Sequence, residues 1–345
     1  MRSNREWIFL VVVLVAVLAG TKGAGQTSAD VQGHVTAART AAGQLWPSLV
    51  SNLCDAAEQS LKPAGSPPLP PAPQASRRED RADWFRGDPV KVFDNLYVFS
   101  TKGGRWGGTT IWAIKTSEGI INIDALYDYA IKDEMDAGMR KVGLDPAQIK
   151  VAFITHGHGD HFGGSKYLQE LYGTRIYISE ADWDIMVEGA KTPGGNQGMP
   201  LPKKDLTATD GQKYTLGDTT IQIYITPGHT PGTLSLIFPV KINGVTHMAA
   251  LWGGTAISPT SSPDNLRKYS ESVVLFMEMV KQQKVDIILS NHEAFGQYFR
   301  TINAMRANPK APNPFVIGTD GVLRFLQVLD HCAKANSAAA ALAKK

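Results

Sequence analysis

The chain has 345 residues, 43% hydrophobic and 19% charged, with a formal net charge of +3. This is ordinary for a soluble globular protein large enough for one big α/β domain or two smaller ones. The small positive charge, which includes Arg2 and Arg5 of a segment expected to be removed, argues against nucleic acid as a partner.

The basic opening MRSNREW is followed by an apolar run at residues 8–20 and by the small residues Gly23, Ala24 and Gly25. That pattern predicts a cleaved signal peptide over residues 1–25, and a periplasmic or secreted mature protein without stable membrane insertion. The apolar run is shorter than the roughly 20 residues a spanning helix needs. Residues 26–65 read as a helical extension, with two short helices over 28–62 that carry Val31, Val35, Leu45, Leu49 and Leu53. A proline-rich linker over 66–83 begins with SPPLPPAPQ and leads to a catalytic domain over 84–345. Cys54 and Cys332 sit in helical segments near opposite ends of the mature chain, and both a bridge and two buried free thiols fit that placement.

From Trp84 onward, β-branched and aromatic runs follow in quick succession: VKVF, LYVFS, TTIWAIK and GIINID. A helix is predicted at about 129–142, then the strand KVAFIT, the helix GGSKYLQELYG, the strand TRIYIS and the helix EADWDIMVE. The loop over 191–205 is rich in Gly and Pro and is expected to wall a pocket, where Lys203 and Lys204 can attract anions or simply be solvated. The strands TIQIYIT, TLSLIFPV and THMAALWG come next, then a helix near 263–282, the strand VDIILS and two closing helices. Two sheets packed face to face, with helices outside both, would accommodate this order.

The stretch THGHGDHFGG holds three of the eight histidines, and Asp160 beside them, within six positions. It follows a strand, so it should form a loop at a strand's C-terminal end. His156 and His158, one glycine apart, can point the same way, whereas Asp160 and His161 turn toward a second point a few ångströms away. Imidazole and carboxylate are the donors of hydrolytic zinc sites, and these four cannot comfortably reach one ion, which points to two metals. His229 in ITPGHTPG and His292 in ILSNHEAF also follow strands directly.

This pattern, His156-Gly-His158-Gly-Asp160-His161 followed by single histidines on later strands, resembles the metallo-β-lactamase-fold hydrolases over roughly residues 88–310. The resemblance implies an αβ/βα four-layer sandwich, here with an N-terminal helical extension, and two Zn²⁺ ions as cofactors. By analogy, His156, His158 and His229 hold the first ion, and Asp160, His161 and His292 the second; iron or manganese suits the same donors. Glyoxalase-, lactonase- and tRNA-processing branches usually carry a bridging aspartate on the strand that corresponds to HMAALWGGTAIS, which has no carboxylate. Other lactamase subclasses use cysteine or asparagine as ligands, and flavodiiron proteins usually have glutamate where His158 stands. What remains is similar to the subclass B3 enzymes.

The resemblance therefore implies a dinuclear zinc hydrolase that opens the β-lactam amide through a metal-bound hydroxide, with Asp160 holding the second ion and orienting the nucleophile. Without a bridging aspartate the centre keeps excess positive charge and favours small anionic substrates. Hydrolysis of lactones or other esters, or metal binding without lactamase activity, are the competing readings. Asp124 is expected either to support a ligand or to cap a helix. Thr255 and Ser258 are candidates for a substrate carboxylate, and Trp106 in the GGRWGG loop for a covering flap. His34, His247 and His331 are expected to be structural.

Overall fold

The computed structural model describes residues 26–63, 66, 89–101, 108–193 and 196–344. The expected leader, nearly all of the proline-rich linker, the domain start at Trp84 and the flap residue Trp106 lie outside them.

Helix α1 (Ser28–Ala42) opens with a capping box: the Thr27 hydroxyl accepts from Asp30 N, and Asp30 accepts from Thr27 N. Helix α2 (Pro47–Gln59) starts on a proline, whose missing N–H costs nothing at a first turn. The first sheet has the order β1 (Val90–Lys91), β2 (Leu96–Ser100), β3 (Thr110–Thr116), β4 (Gly119–Ile123), β5 (Ile149–Phe153), β6 (Arg175–Ser179), β7 (Leu206–Ala208). It is antiparallel up to β4 and parallel beyond. Its connections hold a π-helical turn (Ile131–Asp136) running into α3 (Ala137–Lys141), then α4 (Gly159–Phe162) and α5 (Ser165–Tyr172), with α6 (Glu180–Gly189) after β6.

The second sheet comprises β8 (Lys213–Leu216), β9 (Thr219–Ile225), β10 (Leu234–Ile242), β11 (Val245–Trp252) and β12 (Ile287–Ser290), in the reverse spatial order. Helix α7 (Pro263–Gln282) joins β11 to β12, which pair in parallel. After β12 come α8 (Glu293–Gly296), α9 (Tyr298–Ala307) and α10 (Gly318–Leu342).

Alternation along the strands builds the layers. In β2, Val98 enters the core between the sheets, while Tyr97 and Phe99 face outward under α3 and the α4–α5 segment. In β11, Ala249 and Leu251 face the inter-sheet core, while Ala250 and Trp252 meet α1, α2, α7 and α10 on the other side. The result is the αβ/βα four-layer sandwich anticipated from the motif.

Two details differ from the sequence reading. Strands β7 and β8 were not anticipated, because at three and four residues they are too short to carry a readable pattern. The closing region divides into three helices rather than two, since Gln297 takes a left-handed conformation (φ 52°) between α8 and α9. Helices α1 and α2 pack onto α10, where Val31, Val35, Leu49 and Leu53 share one buried cluster with Phe325, Leu326 and Leu329.

The open alternative for the cysteines is resolved as a bridge: Cys54 of α2 and Cys332 of α10 form a disulfide across 278 residues of sequence. Closing so long a loop restricts the unfolded chain strongly, a contribution of roughly 5 kcal/mol in the chain-entropy treatment. Cys332→Ser or reduction should therefore lower the denaturant midpoint of the purified protein by several kcal/mol equivalent; an unchanged midpoint would show that the helices dock independently of the bridge.

Candidate metal centre

Each element that reaches the centre arrives at one edge of the sandwich. Parallel β4 and β5 end there, followed by Asp124 and by His156 and His158 respectively. Asp160 and His161 lie on the single turn of α4, one step further on. From the second sheet, His229 occupies the turn after β9, and His292 follows β12. Two links hold the sheets in register at this edge: Leu234 N donates to Thr155 O (2.7 Å), and Thr110 N donates to Asn291 O (2.8 Å).

The side chains converge as two groups of three. His156, His158 and His229 form one, and Asp160, His161 and His292 the other, with the donor atoms of each group within 4.8 Å of one another. In the first, His229 Nε2 stands 3.2 Å from both His156 Nε2 and His158 Nδ1. In the second, His161 Nε2 lies 3.2 Å from His292 Nε2 and 3.3 Å from Asp160 Oδ2. Zinc binds imidazole nitrogen at about 2.0–2.1 Å, so tetrahedral donors stand about 3.3 Å apart.

The far side of each ring decides what the near side presents. His156 Nδ1 donates to Gly253 O (3.0 Å), His229 Nδ1 to Ala256 O (2.7 Å) and His161 Nδ1 to Asp124 Oδ2 (2.8 Å). With that proton committed, each ring turns an Nε2 lone pair toward the shared point. Burial, reinforced by neighbouring imidazoles, keeps His156 well below the ordinary histidine range and pushes His229 and His292 down to about 3. Neutral lone pairs facing one another at this separation repel unless a cation lies between them, so the donor set fits metal ions. His161 behaves oppositely: burial opposes its proton, but Asp160 and Asp124 outweigh burial and raise it to about 10. The pocket favours positive charge at that point. Burial also works against the charge on Asp160, yet His161 and His292 hold the carboxyl well below its usual range.

Asp124 is buried and caps no described helix; its carboxylate accepts from Thr155 N (2.7 Å), Thr155 Oγ1 (3.0 Å) and His161. Of the two expectations for this residue, the geometry favours support of a ligand. Thr255 is buried, with its hydroxyl 3.3 Å from that of Ser290. Ser258 lies in the turn into α7, where its hydroxyl pairs with Thr260 (2.7 Å). Lys204 is paired with Glu180. His247 bonds Asp286 (2.6 Å), and His34 faces His331 across α1 and α10, so none of these three histidines joins either group.

The structure adds residues that spacing alone did not reveal. Asn291 donates to Gly253 O (2.7 Å) and Thr155 Oγ1 (2.9 Å), tying β12 to β11 and β5 behind the histidines. Thr109 Oγ1 donates to Asp160 Oδ2 (3.2 Å). Asn196 clasps the histidine loop through Gly159 N (2.9 Å) and Gly157 O (3.0 Å). Asp182, buried in the first turn of α6, accepts from Gly157 N (3.3 Å), Thr230 Oγ1 (2.7 Å) and Gly232 N (3.2 Å). One carboxylate thus joins the loop of His156 and His158 to that of His229. The Gly253-Gly254 pair has a steric cause, since a Cβ on Gly253 would lie 1.8 Å from Leu234 O and one on Gly254 2.6 Å from His229 Cβ.

Comparisons with known proteins agree with this geometry. Residues 104–241 match the family described as the metallo-beta-lactamase superfamily. The matched segment holds the His156–His161 motif and His229. The chain is similar in fold to BJP-1, a subclass B3 metallo-β-lactamase of Bradyrhizobium japonicum, with TM-score 0.57 and 26% identity over 71% of this chain and 92% of that one. It is also similar in fold to the metallo-β-lactamase GOB-18 of Elizabethkingia meningoseptica, with TM-score 0.59 and 21% identity over 80% of this chain and 97% of that one. Among curated proteins, a hydroxyacylglutathione hydrolase of Brucella ovis is 33% identical over 117 residues, 34% of this chain. One from Crocosphaera subtropica is 28% identical over 122 residues, 35% of this chain. These matches span only 37% and 41% of those relatives' own lengths. The fold is thus that of a metal-dependent hydrolase superfamily, and no described helix is long and apolar enough to cross a membrane.

Because Asp182 spans the two loops that supply the first group, its loss should act on that group selectively. Asp182→Ala should weaken metal retention at one of two sites by about 10–100-fold, the range seen when partners behind ligands are removed. Metal analysis after dialysis, with cobalt absorption as a site reporter, checks this; full retention of both metals would contradict it.

Proposed function

We propose that the protein is an exported dinuclear zinc hydrolase that opens the amide bond of β-lactams in the manner of the subclass B3 enzymes. The observation that carries this reading is the pair of adjoining three-donor groups in which Asp160 is the sole carboxylate. Two divalent cations held by five imidazoles and one carboxylate leave the centre positive, which favours a substrate with a carboxylate beside its scissile amide. The likeness to BJP-1 in fold supports the same reading. The Cys54–Cys332 bridge supports export, because such bridges persist in oxidising compartments.

Zinc bound there would supply a nucleophilic hydroxide near neutral pH and polarise the carbonyl under attack. The chain's own contribution is positional. Asp124 fixes the His161 ring, and Gly253 O and Ala256 O fix those of His156 and His229. Thr109 holds one oxygen of Asp160 and aims that carboxylate, which His161 and His292 keep ionised against burial, where an attacking water is oriented and a proton can be accepted. His158 is the solvent-exposed donor and marks the side from which substrate enters. A covalent intermediate on the protein is not needed.

A second reading is thioester, lactone or other ester hydrolysis, favoured by the local similarity to hydroxyacylglutathione hydrolases. Against it stands the end of β11, where Gly253, Gly254 and Thr255 occupy the stretch in which a bridging carboxylate is expected, and no second carboxylate joins either group among the described residues.

The zinc-loaded mature protein should turn over a chromogenic cephalosporin and a carbapenem. Chelator should abolish turnover, as should His156→Ala or His292→Ala. Absence of turnover with two metals bound would contradict the β-lactam reading and favour the ester substrates.

A further inference from the structure

The segment between β4 and the π-helical turn does more than carry Asp124. Asp124 and Leu126, neither of them glycine, both sit in the left-handed backbone region, at φ 65° and 55°. Such conformations are costly for residues with a Cβ, and a pair of them flanking one alanine marks a loop forced into its path. Two hydrogen bonds fix that path against the metal-binding segment: Ala125 N donates to His161 O (2.7 Å), and Gly164 N donates to Leu126 O (3.2 Å). The chain emerging from this constraint presents Tyr127 and Tyr129 with their rings stacked, centroids 5.0 Å apart and planes 13° from parallel.

Tyr129 is 72% exposed, and it is the aromatic member of the large exposed apolar side chains among the described residues. Both phenols lie within electrostatic reach of Asp160. Burial first, and then the Asp160 charge, raises Tyr127 to about 12; burial, then Asp128 and after it Asp160, raise Tyr129, so both rings stay neutral. At the other end of α4, Met199 lies against Gly159, beside the loop of His156 and His158. An exposed aromatic on a strained loop that is hydrogen-bonded to the metal-binding segment is poorly explained as core packing, because little of Tyr129 is packed.

We infer that Tyr127 and Tyr129 form a stacking platform at the mouth of the centre, and that it binds a planar aromatic or conjugated substituent of the anionic substrate. This rests on the proposed hydrolase reading and narrows its substrate class: the metal centre takes the carboxylate and scissile carbonyl, while the tyrosine pair takes a flat side group. Aromatic contacts contribute beyond simple area burial, which converts to about a two- to tenfold preference over a saturated group of equal size.

The test separates the platform from the reaction. Binding of 2-naphthoate and of decahydro-2-naphthoate to the zinc-loaded full chain is measured by calorimetry, alongside KM for two cephalosporins that differ only in an aryl or alkyl acyl side chain. The wild-type protein should bind the naphthoate about two- to tenfold more tightly. Tyr129→Ala should remove the preference, Tyr129→Phe should keep it, and Leu171→Ala, which alters another exposed apolar side chain, should leave it unchanged. KM for the aryl cephalosporin should rise in Tyr129→Ala by a similar factor. If neither cephalosporin is hydrolysed yet the naphthoate preference exists and depends on Tyr129, the β-lactam reading fails and the platform stands. Equal affinity for the two acids in wild type, or a preference that survives Tyr129→Ala, overturns the platform whether or not β-lactams are cleaved.

Discussion

Everything at the catalytic edge follows from lone pairs that face one another. Three rings of this centre have a proton committed outward, to Gly253 O, Ala256 O and Asp124, which leaves Nε2 nitrogens about a metal tetrahedron's edge apart. Such an arrangement is repulsive by itself and becomes favourable around cations. The free energy of metal binding therefore adds to that of folding at the place where the two sheets meet. Asp160 and Asp124 raise the proton affinity of His161, and a metal ion at its Nε2 would meet the same preference for cationic charge in place of that proton.

The sandwich makes the arrangement affordable in backbone terms. Strand ends of both sheets reach one edge, and cross-sheet hydrogen bonds from Leu234 to Thr155 and from Thr110 to Asn291 keep them from sliding. Asp182 and Asn291 work behind the donors, one joining two histidine loops and the other joining three strands. Gly253 and Gly254 allow backbone to approach Leu234 and His229 where any side chain would collide. The stretch that lacks a bridging carboxylate is thus also the stretch where close packing forbids side chains at two positions.

Much of this was legible in the sequence, and the reasons are physical. Histidines alternating with glycines after an apolar strand are hard to explain without a shared ligand, so the two three-residue groups could be named before any coordinates. The layers followed from the repeated order of strands and helices and from the resemblance carried by the histidine motif. Asp182, Asn196 and Asn291 were invisible, because a single polar residue says nothing about which distant loop its side chain will meet. Strands β7 and β8 were too short to carry a readable pattern. The cysteines allowed two outcomes until α2 and α10 were seen to pack together. The burial of Thr255 beside Ser290 is a tertiary fact that the stretch TAISPTSS does not announce.

The central claim is that the six side chains form one dinuclear centre from two distinct sites. Its most direct test is the zinc content of the purified protein at saturation, measured by mass spectrometry under native conditions, for wild type and for His229→Ala and His292→Ala. The account predicts two zinc ions per chain in wild type and one in each variant. A single ion in wild type, or two ions retained in either variant, would contradict it.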